Sequence, residues 1–393
     1  MVDSIHVARW IAQFEPSEVE FTLFPSTPNR RVHAMIKDMM NKNGNIKIVP
    51  FGGKLSIPLW GLDLVFSDYL RGMLLRGILK RTKPDFVHAL EFQHGGYITS
   101  RALEDASIKT PFIATNYGSD IYWFQQFPKH LAKIKKLLAR ADRYSAECQR
   151  DVVLAKKYGF NGVVLPVFPN AGGIETSTLR SFDRPWEQRT IILVKGYTGW
   201  VGRANLILEA LDAARDFLEG YQVVIYSANI RTKRKARRLL SGVDYQIYLK
   251  RALKHHELLS LMGRSKLHIA ISKSDGLSTG AVEAFLLGAN IIQTSTSCID
   301  EMFPTLRELL VDPEISADSL SALIKTITEQ QEAKENIIPR VDHVINTYYT
   351  LDSAGDKNEL LKQVLAKVEY LKTERSTKKN PLGNLQLNMY PKI

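Results

Sequence analysis

Short apolar runs rich in β-branched residues alternate along the chain with longer amphipathic segments. Runs such as Val19–Phe24, Ile46–Phe51 and Pro111–Thr115 predict buried strands. The segments between them, such as Arg31–Met40 and a long one over about Leu62–Lys80, have the apolar spacing of helices. Because parallel strands need crossover connections of this length, the alternation predicts α/β units built on parallel sheets.

This alternation occurs twice. The turn-rich segment Pro169–Pro185 separates the two series and is the best candidate for a linker. Two further helices are predicted over about 338–370. We therefore expect an N-terminal domain over residues 1–175 and a C-terminal domain over residues 186–337, each a doubly wound α/β unit.

The first predicted element is a helix, Ile5–Phe14, which begins almost at Met1. A doubly wound sheet normally starts with a central strand, and its first ligand-facing loop precedes the first helix. Either the true start codon lies upstream, or this sheet forms without its usual centre. We favour the upstream start, because an open parallel sheet needs its middle filled.

The composition fits two soluble domains. Of 393 residues, 45% are hydrophobic and 24% charged, which excludes wholesale disorder. The two cysteines, Cys148 and Cys298, show neither a disulfide framework nor metal-ligand spacing, so we expect a cytoplasmic protein without a metal site. No apolar run approaches the roughly 20 residues that cross a bilayer.

Basic residues outnumber acidic ones, with 53 Lys and Arg against 41 Asp and Glu and a net charge of +12. This excess predicts an anionic partner. Up to Asn170 there are 23 basic and 15 acidic residues, which leaves +8 in the N-terminal half and +4 in the rest. In that basic half, Lys129–Arg140 is either an interfacial helix for an anionic membrane or a surface helix whose apolar stripe faces the core.

The segment Ile269–Ile299 combines a strand, a glycine-containing loop, a helix and another strand. Gly276 permits a tight exit from the first strand, and Ser278 or Thr279 can cap the helix that follows. The free N–H groups at such a helix start can bind a phosphate. The segment therefore predicts a site for a phosphorylated ligand.

Two acidic residues flank this helix start. Asp275 lies in the loop, and Glu283 lies one turn into the helix on a face that can point at a ligand. Their carboxylates suit the hydroxyl groups of a sugar or a ribose, which donate strong hydrogen bonds to a charged acceptor. An ordinary capped helix with a solvated Glu283 explains the same residues equally well.

A hydrolase motif overlaps this loop. Gly276–Gly280 spells G-x-S-x-G between a strand and a helix, which is the context of a nucleophilic Ser278. Asp300 or Asp312 and then His343 follow in the chain order of a catalytic triad. Against this interpretation, three residues separate the strand from the first glycine and loosen the turn.

The loop and helix resemble the carboxylate-x7-Glu signature of the family 4 retaining glycosyltransferases, although the family usually has Glu where this chain has Asp275. The resemblance covers nearly the whole chain and implies the GT-B architecture, in which two Rossmann-like parallel-sheet domains face each other across a cleft. It implies that Asp275 contacts the transferred sugar and that Glu283 holds the nucleotide ribose. The helix start with Gly276, Ser278 and Thr279 then faces the diphosphate.

A second segment, Lys195–Arg203, is similar to the loop after the first strand of the family's nucleotide-binding domain. The resemblance implies that Arg203 neutralises the diphosphate of the donor. Lys195, at the strand end, stands in for a lysine that the family has further along the chain. The family's chain also crosses back at its end, which implies that helices at about 340–375 complete the N-terminal domain.

Strand-end loops of the N-terminal half resemble those that face the cleft in this family. They indicate His94, Tyr117 and Asp120 as catalytic candidates, with Tyr117 where many members have a His near the transferred sugar. His6, near the first helix, is another candidate cleft residue. His255, in contrast, is predicted to lie at the surface of a helix start.

The resemblance implies an enzyme that moves a sugar from a nucleoside diphosphate sugar to a polysaccharide or a lipid-linked glycan of the cell envelope. It implies retention of configuration, no metal ion and no cofactor besides the donor. The chain contains no Asp-x-Asp motif for a metal–diphosphate site. The basic acceptor half predicts a peripheral contact with the inner face of an anionic membrane, and no nucleic-acid partner is expected.

Three alternatives remain open. The same scaffold supports a nucleotide-sugar 2-epimerase, which needs acid–base groups in the cleft. A serine hydrolase would use Ser278. A catalytically silent scaffold that binds anions would be explained by charge alone, but the chain lacks any RNA-binding motif.

Overall fold

The computed structural model of the protein describes residues 2–12, 14, 16–27, 31–50, 56–66, 68–165, 167, 170, 179, 181–303, 306–307 and 310–329. Each pairing between two strands in this part of the chain is parallel, as the alternation of strands and helices predicted. The predicted helices at about 340–375 and most of the predicted linker Pro169–Pro185 lie outside the described residues.

The N-terminal half forms two small parallel sheets. Its strands are β1 (Phe21–Leu23), β2 (Ile46–Ile48), β3 (Val87–Leu90), β4 (Phe112–Thr115), β5 (Arg143–Ser145) and β6 (Val163–Val164). One sheet pairs β1 with β2, and the other has the order β3-β4-β5-β6. A single strand between β1 and β3 would join them into one doubly wound sheet.

The expected central strand is absent from the described residues, and aromatic side chains connect the two sheets. Trp10 contacts His88 of β3 and Phe14, and Phe14 contacts Phe21 of β1, with ring centroids 5.3, 5.4 and 5.6 Å apart. Burial lowers the pKa of His88 to about 4, so this imidazole is neutral and packs as an aromatic ring.

Helices accompany these strands as crossover connections and as the covering layer. They are α1 (Ile5–Ile11), α2 (Ala34–Asn43), α3 (Ser56–Val65), α4 (Tyr69–Thr82), α5 (Tyr97–Ala102), α6 (Ser119–Tyr122), α7 (Pro128–Arg140) and α8 (Gln149–Lys157). A π-helical turn, Phe92–Gly96, precedes α5.

The prediction of one long helix over Leu62–Lys80 is wrong, because the chain turns between α3 and α4. Asp68 has a φ of 68°, in the left-handed region that an α-helix cannot continue through. The buried Arg71 guanidinium donates hydrogen bonds to the carboxylates of Asp63 on α3 and Asp68 at the corner. These charge-assisted bonds stabilise the corner.

The apolar stripe of Lys129–Arg140 does not face a membrane, so the interpretation of this segment as an interfacial helix is wrong. Ile134, Leu137 and Leu138 of α7 are buried in the core of the N-terminal half. The alternative, a surface helix whose apolar stripe faces the core, is confirmed. Lys129, Lys135 and Lys136 of α7 are exposed.

The C-terminal half forms one six-stranded sheet. Its strands are β7 (Ile191–Lys195), β8 (Gln222–Ala228), β9 (Tyr245–Leu249), β10 (Ser265–Ala270), β11 (Asn290–Thr294) and β12 (Leu310–Val311). Their order, β12-β11-β10-β7-β8-β9, is doubly wound. The direction of winding reverses between β7 and β10, and ligands bind at the carboxyl ends of strands at such a point.

Helices cover both faces of this larger sheet. They are α9 (Ala204–Ala213), α10 (Ile230–Leu239), α11 (His255–Gly263), α12 (Thr279–Leu286), α13 (Ile299–Met302) and α14 (Ala317–Glu329). Ile191 and Leu193 of β7 pack in one apolar cluster, and Ile192 and Val194 pack in another on the opposite face. A strand buried on both faces explains the uninterrupted apolar run in the sequence. In the described part of the chain, no helix has the length and hydropathy to cross a bilayer.

Candidate active site

The loop between β10 and α12 brings the predicted donor-binding residues to the carboxyl edge of the larger sheet. Ser278 is the N-cap of α12, which begins at Thr279, and the buried Ser278 Oγ has no hydrogen-bond partner. Gly276 N donates to Asp275 Oδ1 at 3.0 Å. The loop lies where β10 and β7 run side by side, so the start of α12 can receive an anion at the switch point.

Lys195 ends β7 and faces the same loop. Its Nζ lies 3.7 Å from Asp275 Oδ2 and 5.1 Å from the centroid of the Tyr197 ring. Burial alone would lower the pKa of Lys195, but the Asp275 carboxylate and the neighbouring Tyr197 and Tyr226 raise it above its usual value. The ammonium group is therefore a permanent positive charge beside Asp275.

Glu283 is buried and has two basic neighbours. Its Oε1 lies 2.9 Å from His255 Nε2 on α11 and 4.0 Å from an Arg9 guanidinium nitrogen on α1. His255 begins α11 and half of its side chain is exposed, so its predicted place at the surface of a helix start is confirmed, and the pair with Glu283 is an additional contact. The sequence contains no signal for this pair, since the packing of α11 against α12 creates it.

Arg203 lies at the N-cap of α9, and its backbone is part of the same loop cluster. Its N–H donates to Ile271 O at 3.1 Å, and Gly202 bridges to Ser272 in the loop after β10. The guanidinium group, however, forms an ion pair with Glu314 at 3.0 Å. Arg203 is thus close to the loop of Asp275 but points at an acid of the C-terminal half, and its predicted role toward a diphosphate stays a prediction.

Asp120 and His94, two of the three catalytic candidates from the N-terminal half, form hydrogen bonds within that half. Asp120 accepts hydrogen bonds from the N–H groups of Phe92 and Tyr117, both at 3.0 Å, and so ties two strand-end loops together. Burial and the nearby Glu91 raise the pKa of Asp120 well above its usual value. His94 Nδ1 pairs with Glu91 Oε2 at 3.1 Å.

Several buried polar atoms around the Asp275 loop lack a hydrogen-bond partner among the described residues. They come from both halves of the chain: His6 Nδ1, Tyr117 Oη, Asp275 Oδ2 and Ser278 Oγ. The rings of His6 and Tyr117 are 5.8 Å apart, and Tyr117 adjoins Gly118, whose backbone meets that of Gly276. Because burying a polar atom without a partner costs free energy, this group is suited to a polar ligand.

Direct contacts close the two halves on each other beside this group. A Cβ on Gly118 would lie 2.0 Å from Gly276 N, so the two backbones touch. The Arg150 guanidinium group on α8 donates to Thr296 O at 2.7 Å and to Asp275 O at 3.1 Å. Ser274 Oγ and Ser119 Oγ form a hydrogen bond of 2.9 Å.

A second contact lies at the start of α8. The Glu301 carboxylate accepts hydrogen bonds from the N–H groups of Gln149 and Arg150 at 2.5 and 3.1 Å. Cys148 and Cys298, which are 150 residues apart, come together here, and their sulfur atoms lie within 4.8 Å of each other and of a Glu301 oxygen. The spacing of Cys148, Cys298 and Glu301 along the sequence did not indicate that these three residues meet.

Comparisons with known proteins agree on one activity. Residues 1–146 match the family described as glycosyl transferase 4-like. The chain is also 23% identical over 294 residues to the putative teichuronic acid biosynthesis glycosyltransferase TuaC of Bacillus subtilis (strain 168), which covers 71% of this chain and 69% of the relative. This protein is a glycosyltransferase. The resemblance to the family 4 enzymes is confirmed.

Solved structures establish the architecture of this glycosyltransferase. Anabaena HepE in complex with UDP superposes with a TM-score of 0.65, at 12% identity over 93% of this chain and 96% of its own. A glycosyltransferase from Rickettsia africae superposes with a TM-score of 0.61, at 14% identity over 94% of this chain and 93% of its own. Sucrose-phosphate synthase from Thermosynechococcus elongatus gives 0.64, at 13% identity over 92% of each chain. The predicted GT-B fold is confirmed, with two parallel-sheet domains that face each other.

An aromatic group borders the cleft of the glycosyltransferase. Trp200, in the loop between β7 and α9, has 49% of its side chain exposed. Its ring centroid lies 5.4 Å from that of Trp123 and 5.3 Å from that of Phe124 in the other half. Such a surface offers flat apolar faces beside a polar site, a combination common in ligand pockets.

Glu147 provides a pH-dependent contribution to the stability of the glycosyltransferase. Burial and the nearby Asp275 raise the pKa of Glu147 to about 8. An exposed glutamate has a pKa of about 4.3, so ionisation costs the folded state progressively more free energy as the pH rises from about 4.3 to about 8.

We therefore expect Glu147→Gln to raise the melting temperature at pH 8 and to leave it unchanged near pH 4. Each kcal/mol gained corresponds to about 2–4 °C. Differential scanning calorimetry across this pH range measures the effect, with Glu187→Gln at an exposed position as the matched control. An equal melting-temperature difference at both pH values would contradict the assignment.

Proposed function

We propose that this glycosyltransferase takes its sugar from a nucleoside diphosphate sugar and transfers it, with retention, to a glycan or lipid-linked glycan acceptor. The observation that supports this most is the set of polar atoms from both halves around Asp275 that lack hydrogen-bond partners, beside the Lys195 ammonium group and a helix start. A sugar diphosphate presents hydroxyl groups and negative charge to such a set.

In this proposal, protein groups neutralise the diphosphate. The start of α12 donates N–H groups to one phosphate, and Lys195 supplies a full positive charge. Asp275 accepts a hydroxyl of the transferred sugar, and Glu283 accepts the ribose hydroxyls. His255 and Arg9 hold the Glu283 carboxylate in place before the nucleotide binds.

In this proposal the transfer takes place on one face of the sugar. The acceptor hydroxyl attacks the anomeric carbon on the face from which the diphosphate leaves, and the departing phosphate oxygen takes the acceptor's proton. Configuration is then retained without a covalent enzyme intermediate. The contribution of the chain is electrostatic and positional, through charges and dipoles that are in place before the reaction begins.

The ligand bound to one similar structure and the name of one relative support a particular donor and acceptor. HepE has been crystallised with UDP-glucose, and TuaC is named for teichuronic acid biosynthesis. We therefore propose a uridine diphosphate sugar as donor and a cell-envelope polysaccharide or its lipid-linked precursor as acceptor, which places the enzyme at the cytoplasmic face of the membrane.

We expect Glu283→Gln to weaken the binding of UDP about 10–100-fold, because hydrogen bonds to a charged group contribute about 1.5–3 kcal/mol. Isothermal titration calorimetry with UDP and a panel of UDP-sugars measures this, with Glu187→Gln as the control variant. UDP affinity that is the same in Glu283→Gln and wild type would remove Glu283 from the donor site.

One further measurement separates this proposal from an epimerase. Product analysis with and without a glycan acceptor should show sugar transfer only when the acceptor is present. Conversion of the nucleotide sugar into its 2-epimer without an acceptor would instead indicate the isomerase. Chelation of divalent cations is expected to leave transfer unchanged.

A further inference from the structure

Helix α3 presents its apolar side to solvent. Ile57, Leu62 and Val65 of α3, and Phe66 directly after it, have 58, 53, 78 and 57% of their surface exposed. The charged residue of the helix, Asp63, is completely buried. A surface helix of a globular protein normally shows the opposite arrangement, with its charged side in water.

The exposed apolar side continues onto α4, where Tyr69, Met73 and Leu74 are each more than 40% exposed. We call this surface the apolar face and define it as Ile57, Leu62, Val65, Phe66, Tyr69, Met73 and Leu74. It contains seven of the thirteen large apolar side chains that are exposed in the described part of the chain. Contiguous exposed apolar surface of this kind marks a site of interaction.

The outward orientation of α3 is held by buried bonds. Asp63 on the inner side of α3 accepts hydrogen bonds from the Arg71 guanidinium group and from Leu70 N. The same guanidinium group also donates to Asp68 and to Ser26 O in the loop after β1. Turning α3 over would expose these bonds and break a buried ion pair, so the apolar face is part of the fold.

Basic side chains border the apolar face. Besides the buried Arg71, α4 contains Arg76, Lys80 and Arg81, α7 contains five Lys and Arg, and neither helix contains an acidic residue. Lys133 of α7 reaches Asp68 beside the face at 2.8 Å, and the Arg101 guanidinium group lies 5.1 Å from the centroid of the Tyr69 ring. Lys80 and Arg81, at the end of α4, are exposed, and Lys80 Nζ forms an ion pair with Asp105 Oδ2 at 2.7 Å.

We propose that the apolar face docks into the headgroup region of a membrane that contains anionic lipids. Apolar side chains on a helix that lies in the surface plane, bordered by lysines and arginines, match the interfacial region of such a bilayer. The acyl chains receive the apolar face, and the exposed basic side chains of α4 and α7 contact lipid phosphates. The proposal rests on the proposed function only in that a lipid-linked acceptor gives the docking a purpose.

Vesicle sedimentation of the full chain tests this directly. The wild type should sediment with vesicles of phosphatidylcholine and phosphatidylglycerol and less with phosphatidylcholine alone. The double variant Val65→Ser/Phe66→Ser should lose at least tenfold in partition coefficient. Val153→Ser, which removes a side chain that is 65% exposed on α8, is the matched control and should sediment like the wild type.

A second arm tests the basic border and the other occupants of the face. Lys80→Gln/Arg81→Gln should reduce sedimentation with the anionic vesicles alone. A polarity-sensitive fluorophore on Val65→Cys should shift to the blue only when anionic vesicles are added. A blue-shifted signal before vesicles are added would mean that a second copy or another part of the chain covers the face, and would overturn the proposal.

Sedimentation of the double variant like the wild type would also overturn it, as would a wild type that stays in the supernatant with both vesicles. UDP binding measured on the same variants keeps this result separate from the donor site. Loss of vesicle binding with unchanged UDP affinity supports the membrane face, and UDP affinity that is absent in the wild type refutes the proposed function alone.

Discussion

Lys195→Met is expected to lower the rate of sugar transfer about 10²–10³-fold, the loss typical of removing one preorganised group that stabilises developing charge. Methionine keeps the apolar stem but removes the ammonium group that lies 3.7 Å from Asp275 and beside the start of α12. The leaving diphosphate then loses a full positive charge in a poorly solvated site. Asp275 also loses its cationic partner.

Steady-state rates with the donor identified by the UDP-sugar panel measure this change, and the larger part of it should appear in kcat. Lys250→Met, at an exposed position, is the matched control. Lys195→Arg should recover part of the activity, since it retains the charge in a different shape. A Lys195→Met enzyme within a few-fold of the wild type would exclude Lys195 from the neutralisation of the diphosphate.

Gly118→Val is expected to prevent full closure of the cleft and to reduce transfer at least as strongly. Even a Cβ at this position would lie 2.0 Å from Gly276 N and 2.5 Å from Gly276 Cα. Both are backbone atoms, which cannot turn aside as a flexible side chain can. The two halves must therefore separate, and misplacing reacting groups by about 1 Å can cost 10²-fold in rate.

Small-angle scattering and kinetics together test this prediction. The variant should have a larger radius of gyration than the wild type in the presence of UDP, with a similar content of secondary structure. Gly77→Ala is the control, because nothing lies within 4 Å of its added Cβ on α4. Full activity in Gly118→Val would mean that the contact with Gly276 has no part in the reaction.

The apolar pattern was sufficient to predict the class of the fold, and the glycine and capping residues between two strand-like runs predicted the position of the loop that contains Asp275. Strand-like runs such as Ile191–Val194 are buried on both faces of the larger sheet, as a parallel sheet requires. Asp275 and Ser278 follow β10 directly, so local order along the chain places them at the carboxyl edge. Glu283 lies about one turn into α12, the helix that follows this loop.

Other features depended on packing between distant segments. The partner of Glu283, His255, is 28 residues away, and the Arg150 guanidinium group meets Thr296 O across 146 residues. The sequence of α3 contains one charged residue, and only the tertiary structure shows that Asp63 is buried while Ile57, Leu62 and Val65 are exposed.

The sequence by itself thus determined most of the elements, their parallel arrangement, and the loop and helix that contain Asp275 and Glu283. Tertiary structure alone decided which side chains surround that loop, how closely Gly118 approaches Gly276, and which face of α3 is left uncovered. The physical reason is the distance along the chain over which each effect acts. Hydrophobic periodicity and capping act over a few residues and can be read locally, whereas burial, pKa shifts and contacts between the halves depend on the summed geometry of the whole chain.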